Sequence, residues 1–219
     1  MRTVARFRLH RHRWYARCKL AADPVFAATA AILLQHDERA LLDIGCGLGL
    51  LGIYLRERGH RGAYRGLDFD APKIAEARRA AQDLSEFAVE VGDADAGLPE
   101  FCGDVALIDV LHYLSADAQV RLLRNAAARV DRDGCLIVRN VLRERHWRFR
   151  ATALEEWFAH VLHWTPGAAH FPNFEEIAMP LRAAGFSVRA RALWGHTPFN
   201  SYLIVARRSD PQTQERAPM

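Results

Sequence analysis

The 219 residues include four cysteines, three methionines and no apolar run approaching the roughly 18 residues that a membrane-crossing helix needs. Cys18, Cys46, Cys102 and Cys135 are scattered and lack the paired spacing of a zinc or redox motif, so they read as reduced structural thiols and no metal site is expected. There is no internal repeat. The basic opening, MRTVARFRLHRHRWYARCKL, is broken by charge every two or three residues and lacks the apolar centre of a secretion signal, which makes the cytoplasm the default location. Acid is missing there altogether. Arg2, Arg6, Arg8, Arg11, Arg13, Arg17 and Lys19 all precede Asp23, and that segment is either a solvated basic helix or a docking patch for an acidic partner.

What remains has ordinary globular composition, half hydrophobic and about a quarter charged. From Ala40 onward short apolar runs alternate with helical patterns, as in a parallel sheet flanked by helices. Strands are expected near 40–45, 64–69, 86–91, 104–109, 134–140, 186–192 and 200–207. Helices are expected near 49–59, 71–82, 115–130 and 174–184, with Pro72 in the first turn of one and Ser115 capping another. The expected fold is a single α/β domain over 1–208, with residues 1–38 as a helical cap. Residues 144–172 read as a lid or substrate wall, and the Pro-containing polar stretch 209–219 as a disordered tail.

The segment LLDIGCGLGLLG, Leu41 to Gly52, runs from an apolar strand through close-set glycines into a helix, where a ligand must touch backbone. Gly47, Gly49 and Gly52 satisfy GxGxxG, so a dinucleotide oxidoreductase has to be weighed. Charge separates the two readings. A pyrophosphate at this loop would be repelled by Asp43, two residues before Gly45, whereas the sulfonium and ammonium groups of S-adenosylmethionine favour an acid there. Asp68 ends the second strand about twenty residues after the loop, placed to accept from both ribose hydroxyls of either cofactor, with Phe69 beside it. Asp93 follows the third strand and can accept from an adenine amine; taken alone, each acid is also a possible turn or capping Asp.

Together LLDIGCGLGLLG, GLDFD, GDA and DVALIDVLHYL resemble successive motifs of class I S-adenosylmethionine-dependent methyltransferases, over roughly residues 38–207. The resemblance implies a Rossmann-like, mostly parallel seven-stranded sheet with helices on both faces and an antiparallel last strand around Ser201 to Val205. It implies that Asp43, Gly45, Gly47 and Gly49 hold the methionine end, Asp68 the ribose, and Asp93 with Ala94 the adenine. WYARCKLAADPVF, WRFRAT and GHTPFNSYL are also similar to segments of methyltransferases from bacterial aryl polyene pigment clusters, with Cys18 and Ala22 departing from that pattern. That likeness implies an aromatic acceptor, free or carried as a thioester on an acidic acyl carrier protein.

The fourth strand delivers Asp109, taken as a further cofactor contact, and then His112 and Tyr113, in the crevice where open α/β sheets bind ligands. His112 is the candidate general base for an O–H acceptor, the alternative being a packing or capping histidine; Tyr113 is a candidate substrate contact, or packs. The strand end lacks the Asn/Asp-Pro-Pro-aromatic signature of enzymes that methylate nucleic-acid base amines, so nucleic acid is not the expected partner. Leu154, Trp157, Phe158, Val161 and Leu162 recur at helical spacing as a packed lid helix, off which lie Arg148, Arg150, His163, Trp164 and His170 as candidate substrate contacts or surface charge.

Overall fold

The computed structural model describes residues 2–144, 170–194 and 200–209. The lid stripe with Arg148, Arg150, His163 and Trp164, most of the GHTPFNSYL segment before Asn200, and the tail beyond Ser209 lie outside the described residues.

Seven strands form one sheet: β1 (Leu41–Ile44), β2 (Tyr64–Asp68), β3 (Phe87–Val91), β4 (Asp104–Ile108), β5 (Cys135–Val141), β6 (Phe186–Ala192) and β7 (Ser201–Arg208). Their spatial order is β3-β2-β1-β4-β5-β7-β6, and β7 runs antiparallel to both β5 and β6. The order reverses at β1, so the crevice above β1 and β4 is the topological switch point, where such sheets bind ligands. Strands β1, β4 and β5 are buried almost throughout, which is why they read as unbroken apolar runs. The two edges differ: β3 and β6 alternate or expose their residues.

Helices α4 (Leu50–Glu57), α5 (Ala71–Ala80), α6 (Ala116–Ala127) and α7 (Phe174–Ala183) connect the strands. Asp70 and Ser115 accept from the backbone N–H of Lys73 and Ala118, and Asn173 with Glu176 forms a reciprocal capping box. One buried cluster holds Leu41, Ile53, Ile74 and Ile137 with the N-terminal helices; another holds Leu42, Leu107, Leu123, Leu136 and Ile177. The sheet therefore has a core on each face.

Ahead of it lie α1 (Arg2–Ala5), α2 (His10–Ala22) and α3 (Val25–Leu33), followed by a 3-10 turn at Leu34–His36. Asp23 stops α2 and its side chain accepts from the N–H of Val25, which starts the next helix at a 72° bend. α3 is apolar and packs into the core, but α2 buries only Ala16. Among the described residues no single helix is long and apolar enough to cross a membrane.

Candidate functional site

β1 ends at a loop whose Gly45, Gly47 and Gly49 all have positive φ, conformations that L side chains resist. The three glycines serve different ends. A Cβ on Gly45 would lie 2.3 Å from Cγ2 of Val110, so the loop passes tightly against the turn after β4. At Gly47 a Cβ would meet nothing nearer than Asp68 and Lys73, each at 3.9 Å, which leaves an open cradle beside a carboxylate. Gly49 faces Ala77 and Phe87 at 3.5 Å, on the packing side, so it shapes the turn and helix start. Gly52 is bare because the Tyr64 ring would stand 2.5 Å from its Cβ.

The first acid, Asp43, is buried and accepts a 2.6 Å hydrogen bond from the Tyr64 hydroxyl. Burial pushes its carboxyl up, the Tyr64 hydrogen bond opposes this, and the charge of Asp68 adds to it, leaving the group at about 7. Asp68 is also buried; one of its oxygens accepts from the N–H of Gly47 at 2.7 Å and the other from that of Asp70 at 2.9 Å. Each oxygen keeps a further lone pair, so the carboxylate can still accept from a diol. The next residue, Phe69, is 68% exposed, a large apolar surface left at the lip of the loop. Asp93 is exposed and accepts from the N–H of Asp95, and Ala94 packs against the α6-side core.

Just past the fourth strand stands Asp109, a non-glycine residue at positive φ. Its carboxylate pairs with Arg139 of β5 and, at 3.6 Å, with Lys19 of α2; Asp23 pairs with the same two cations at 3.3 and 3.4 Å. Burial pushes Asp109 up, but Arg139 and Lys19 outweigh it and hold the carboxyl at about 2. The sequence placed Asp109 at the site and missed its partners, because Lys19, Asp23 and Arg139 are brought together only by the tertiary fold.

Past Asp109 a 3-10 turn, Leu111–Tyr113, carries His112. Its ring is 4% exposed, stacks 5.8 Å from Phe171, and holds Asn140 Oδ1 at 3.0 Å through Nδ1. Tyr113 lies alongside at 4.1 Å between ring centroids and is 45% exposed. The side-chain amide of Gln119 donates to the carbonyls of Leu111, Leu114 and His170, and the N–H of His170 donates to the carbonyl of His112 at 2.8 Å. The His112 turn is thus clamped between α6 and the segment leading into α7. Asn140 and Gln119 are the residues that sequence reading passed over; only the fold brings them to His112.

The arrangement is an open glycine loop, a buried acid with acceptor capacity to spare and a buried histidine around one switch point. Residues 41–134 match a family model described as a methyltransferase domain. Among curated proteins, none matches the sequence. Many solved structures share the fold. A magnesium protoporphyrin IX methyltransferase from Synechocystis, with S-adenosylhomocysteine bound, is 23% identical with TM-score 0.65, over 84% of this chain and 82% of that one. A putative methyltransferase of Haloferax volcanii, in complex with its Trm112 activator, is 18% identical with TM-score 0.68, over 90% and 93% of the two chains. An O-methyltransferase family 2 protein from Planctomyces limnophilus, in complex with apigenin, is 18% identical with TM-score 0.59, over 78% of this chain, which spans 51% of that protein.

The matched domain and the shared fold are those of methyltransferases, among them proteins solved with S-adenosylmethionine or S-adenosylhomocysteine bound.

Proposed function

We propose that this enzyme methylates a small aromatic acceptor at a hydroxyl or at the carbon ortho to it, with His112 as the general base. The cofactor supplies an electrophilic methyl group on sulfur; the acceptor's electron pair forms the new bond, and the S–C pair stays on sulfur. The chain's own part is to bind, align and deprotonate. Asp68 takes the ribose diol with the lone pairs that Gly47 and Asp70 leave over, Gly47 lets the cofactor reach backbone, and exposed Phe69 offers a ring face to the adenine near Asp93 and Ala94. Asp43 and Gly45 border the methionine end, and Asp109 closes that side with Arg139 and Lys19.

The observation that carries the acceptor reading is the buried His112, fixed by Asn140, one residue beyond the Leu111 that follows the loop-packing Val110. A clamped histidine at the switch point is positioned for proton removal from a phenol, and either its oxygen or its ortho carbon then becomes nucleophilic. Tyr113 and Phe171 supply ring surface beside it, which suits an aromatic acceptor. The similarity to the apigenin-bound protein, whose ligand is phenolic, supports the same class. The finer reading, an aryl acid carried on an acyl carrier protein in aryl polyene pigment assembly, rests on the N-terminal and C-terminal sequence segments and on the basic first helices.

The test is mass spectrometry of labelled-methyl transfer from S-adenosylmethionine to hydroxyaryl acids and to their carrier-protein thioesters. Labelled product from a hydroxyaryl acceptor, and none from its deoxy analogue, is the expected result. His112→Ala should lower turnover about a hundred- to ten-thousandfold with cofactor affinity nearly unchanged, and raising the pH should restore part of the rate as the acceptor ionises unaided. Full activity in that variant would leave His112 as packing.

A further inference from the structure

His112 sits on a short 3-10 helix, Leu111–Tyr113, in which the N–H of Tyr113 donates to the carbonyl of Val110 at 3.1 Å and that of Leu114 to the carbonyl of Leu111 at 2.9 Å. So brief a 3-10 run is weakly bonded within itself, and its surroundings decide where its side chains stand. The support comes from α6. Gln119 lies near the start of that helix, 6% exposed, with its own N–H on the carbonyl of Ser115 at 2.9 Å. Its side-chain nitrogen is 2.9 Å from the carbonyl oxygen of Leu111, 3.1 Å from that of Leu114 and 2.8 Å from that of His170. Three acceptors around one atom fix the amide's orientation, since its own oxygen in that place would face three oxygens.

Those carbonyls belong to two separate parts of the chain. Leu111 and Leu114 bracket the His112 turn, whereas His170 stands in the segment that enters α7. The N–H of His170 returns to the carbonyl of His112 at 2.8 Å, and the next residue, Phe171, stacks on the His112 ring with centroids 5.8 Å apart and planes at 18°. The histidine and the aromatic ring beside it are thus both referred to one side chain. That side chain is carried by a helix whose Leu122 and Leu123 are buried in the core, which makes it a rigid reference.

We infer that Gln119 is the positioning residue that sets His112 against Phe171, holding the base in one place by tying both ends of its turn to His170. The inference rests on His112 being the base of the proposed reaction. Gln119 acts through backbone carbonyls, so its effect on the rate passes through the place of the imidazole. Removing the amide loosens the turn from residues 170–171, with the His170 N–H left to join them. Misplacing a base by about 1 Å costs on the order of a hundredfold in rate.

Gln119→Leu, close in size and without donors, should slow methyl transfer to the hydroxyaryl acid that gives labelled product by about ten- to a hundredfold, with affinity for S-adenosylhomocysteine nearly unchanged. The same substitution placed on His112→Ala should slow that variant by no more than about twofold, because the group being positioned is already gone. A purely structural role would slow both backgrounds alike. Independently of turnover, amide hydrogen exchange at Tyr113, Leu114 and His170 should quicken together by about tenfold in Gln119→Leu while β5 keeps its protection. Equal slowing in the two backgrounds, turnover like the parent's in Gln119→Leu, or faster exchange in only one of the two segments overturns the inference. If Gln119→Leu fails to fold, Gln119→Asn, which keeps the amide on a shorter reach, takes its place in the same rate and exchange measurements. Full turnover in His112→Ala overturns the base assignment, and this inference with it.

Discussion

A carboxylate beside a loop can bind, cap or carry charge, and its partners decide which. Asp68 engages two backbone N–H groups and retains acceptor capacity, so Asp68→Ala should weaken S-adenosylmethionine binding by about 1.5–3 kcal/mol, roughly ten- to a hundredfold. Calorimetry on the folded variant checks this, with Asp68→Asn, which keeps one acceptor oxygen, falling between. Asp43 differs in that burial holds it at about 7 in the free enzyme. A cation bound nearby favours its ionised form, so binding S-adenosylmethionine should release part of a proton below pH 7, and affinity should rise as pH goes from 6 to 8. S-Adenosylhomocysteine, whose sulfur is neutral, should show less of this. The ratio of the two dissociation constants is expected to change by roughly three- to tenfold over that range, since one proton gives at most tenfold per pH unit. Titrations in buffers of different ionisation enthalpy report the proton directly; an equal release with both ligands would assign it to another group.

At the scale of elements, each strand and connecting helix after Ala40 among the described residues was readable from sequence within a few residues, because each carries its own signal: continuous apolar runs for β1, β4 and β5, a Pro at the start of α5 and a Ser at the start of α6. The antiparallel β7 was not in its own pattern and came from the family resemblance. Also hidden were contacts between elements distant in sequence, such as Asn140 with His112 and Lys19 with Asp109, which no local period encodes. The last glycine of the loop motif shows the same limit. Sequence alone assigns Gly52 to a nucleotide pattern, yet it is the Tyr64 and Phe87 rings, 2.5 and 2.7 Å from where a Cβ would stand, that forbid a side chain. Gly52→Ala should therefore destabilise the fold by about 1–3 kcal/mol through overpacking of α4 on β2, measured by denaturant unfolding. Tyr64 is also the partner of Asp43, so the same variant should weaken cofactor binding through a displaced loop.

Across the whole molecule, the N-terminal cap is joined to the sheet unevenly. α3 is secured by apolar burial, and α1 by Thr3 on Glu57 and, just past its end, by Arg6 on Asp83, whereas α2 buries one alanine and meets the sheet through charge. Lys19 bridges Asp23, at the bend into α3, and Asp109, at the end of β4, while Arg139 lies between the same two carboxylates. Removing the Lys19 charge leaves both acids paired with Arg139, so the sheet should keep its stability while the hold on α2 weakens. Lys19→Met, which preserves most of the side chain's apolar stem, should speed amide hydrogen exchange across residues 10–22 by about five- to tenfold, an opening made easier by roughly 1 kcal/mol. Exchange in β1, β4 and β5 should stay as it was. Because the attachment is ionic, moderate salt should bring the parent enzyme part of the way toward the variant and leave the variant itself little changed. Uniformly faster exchange through the sheet would mean that the charge cluster holds the whole domain together; no change in α2 would mean that its backbone contacts alone, such as Arg13 on the carbonyl of Phe7, keep it docked.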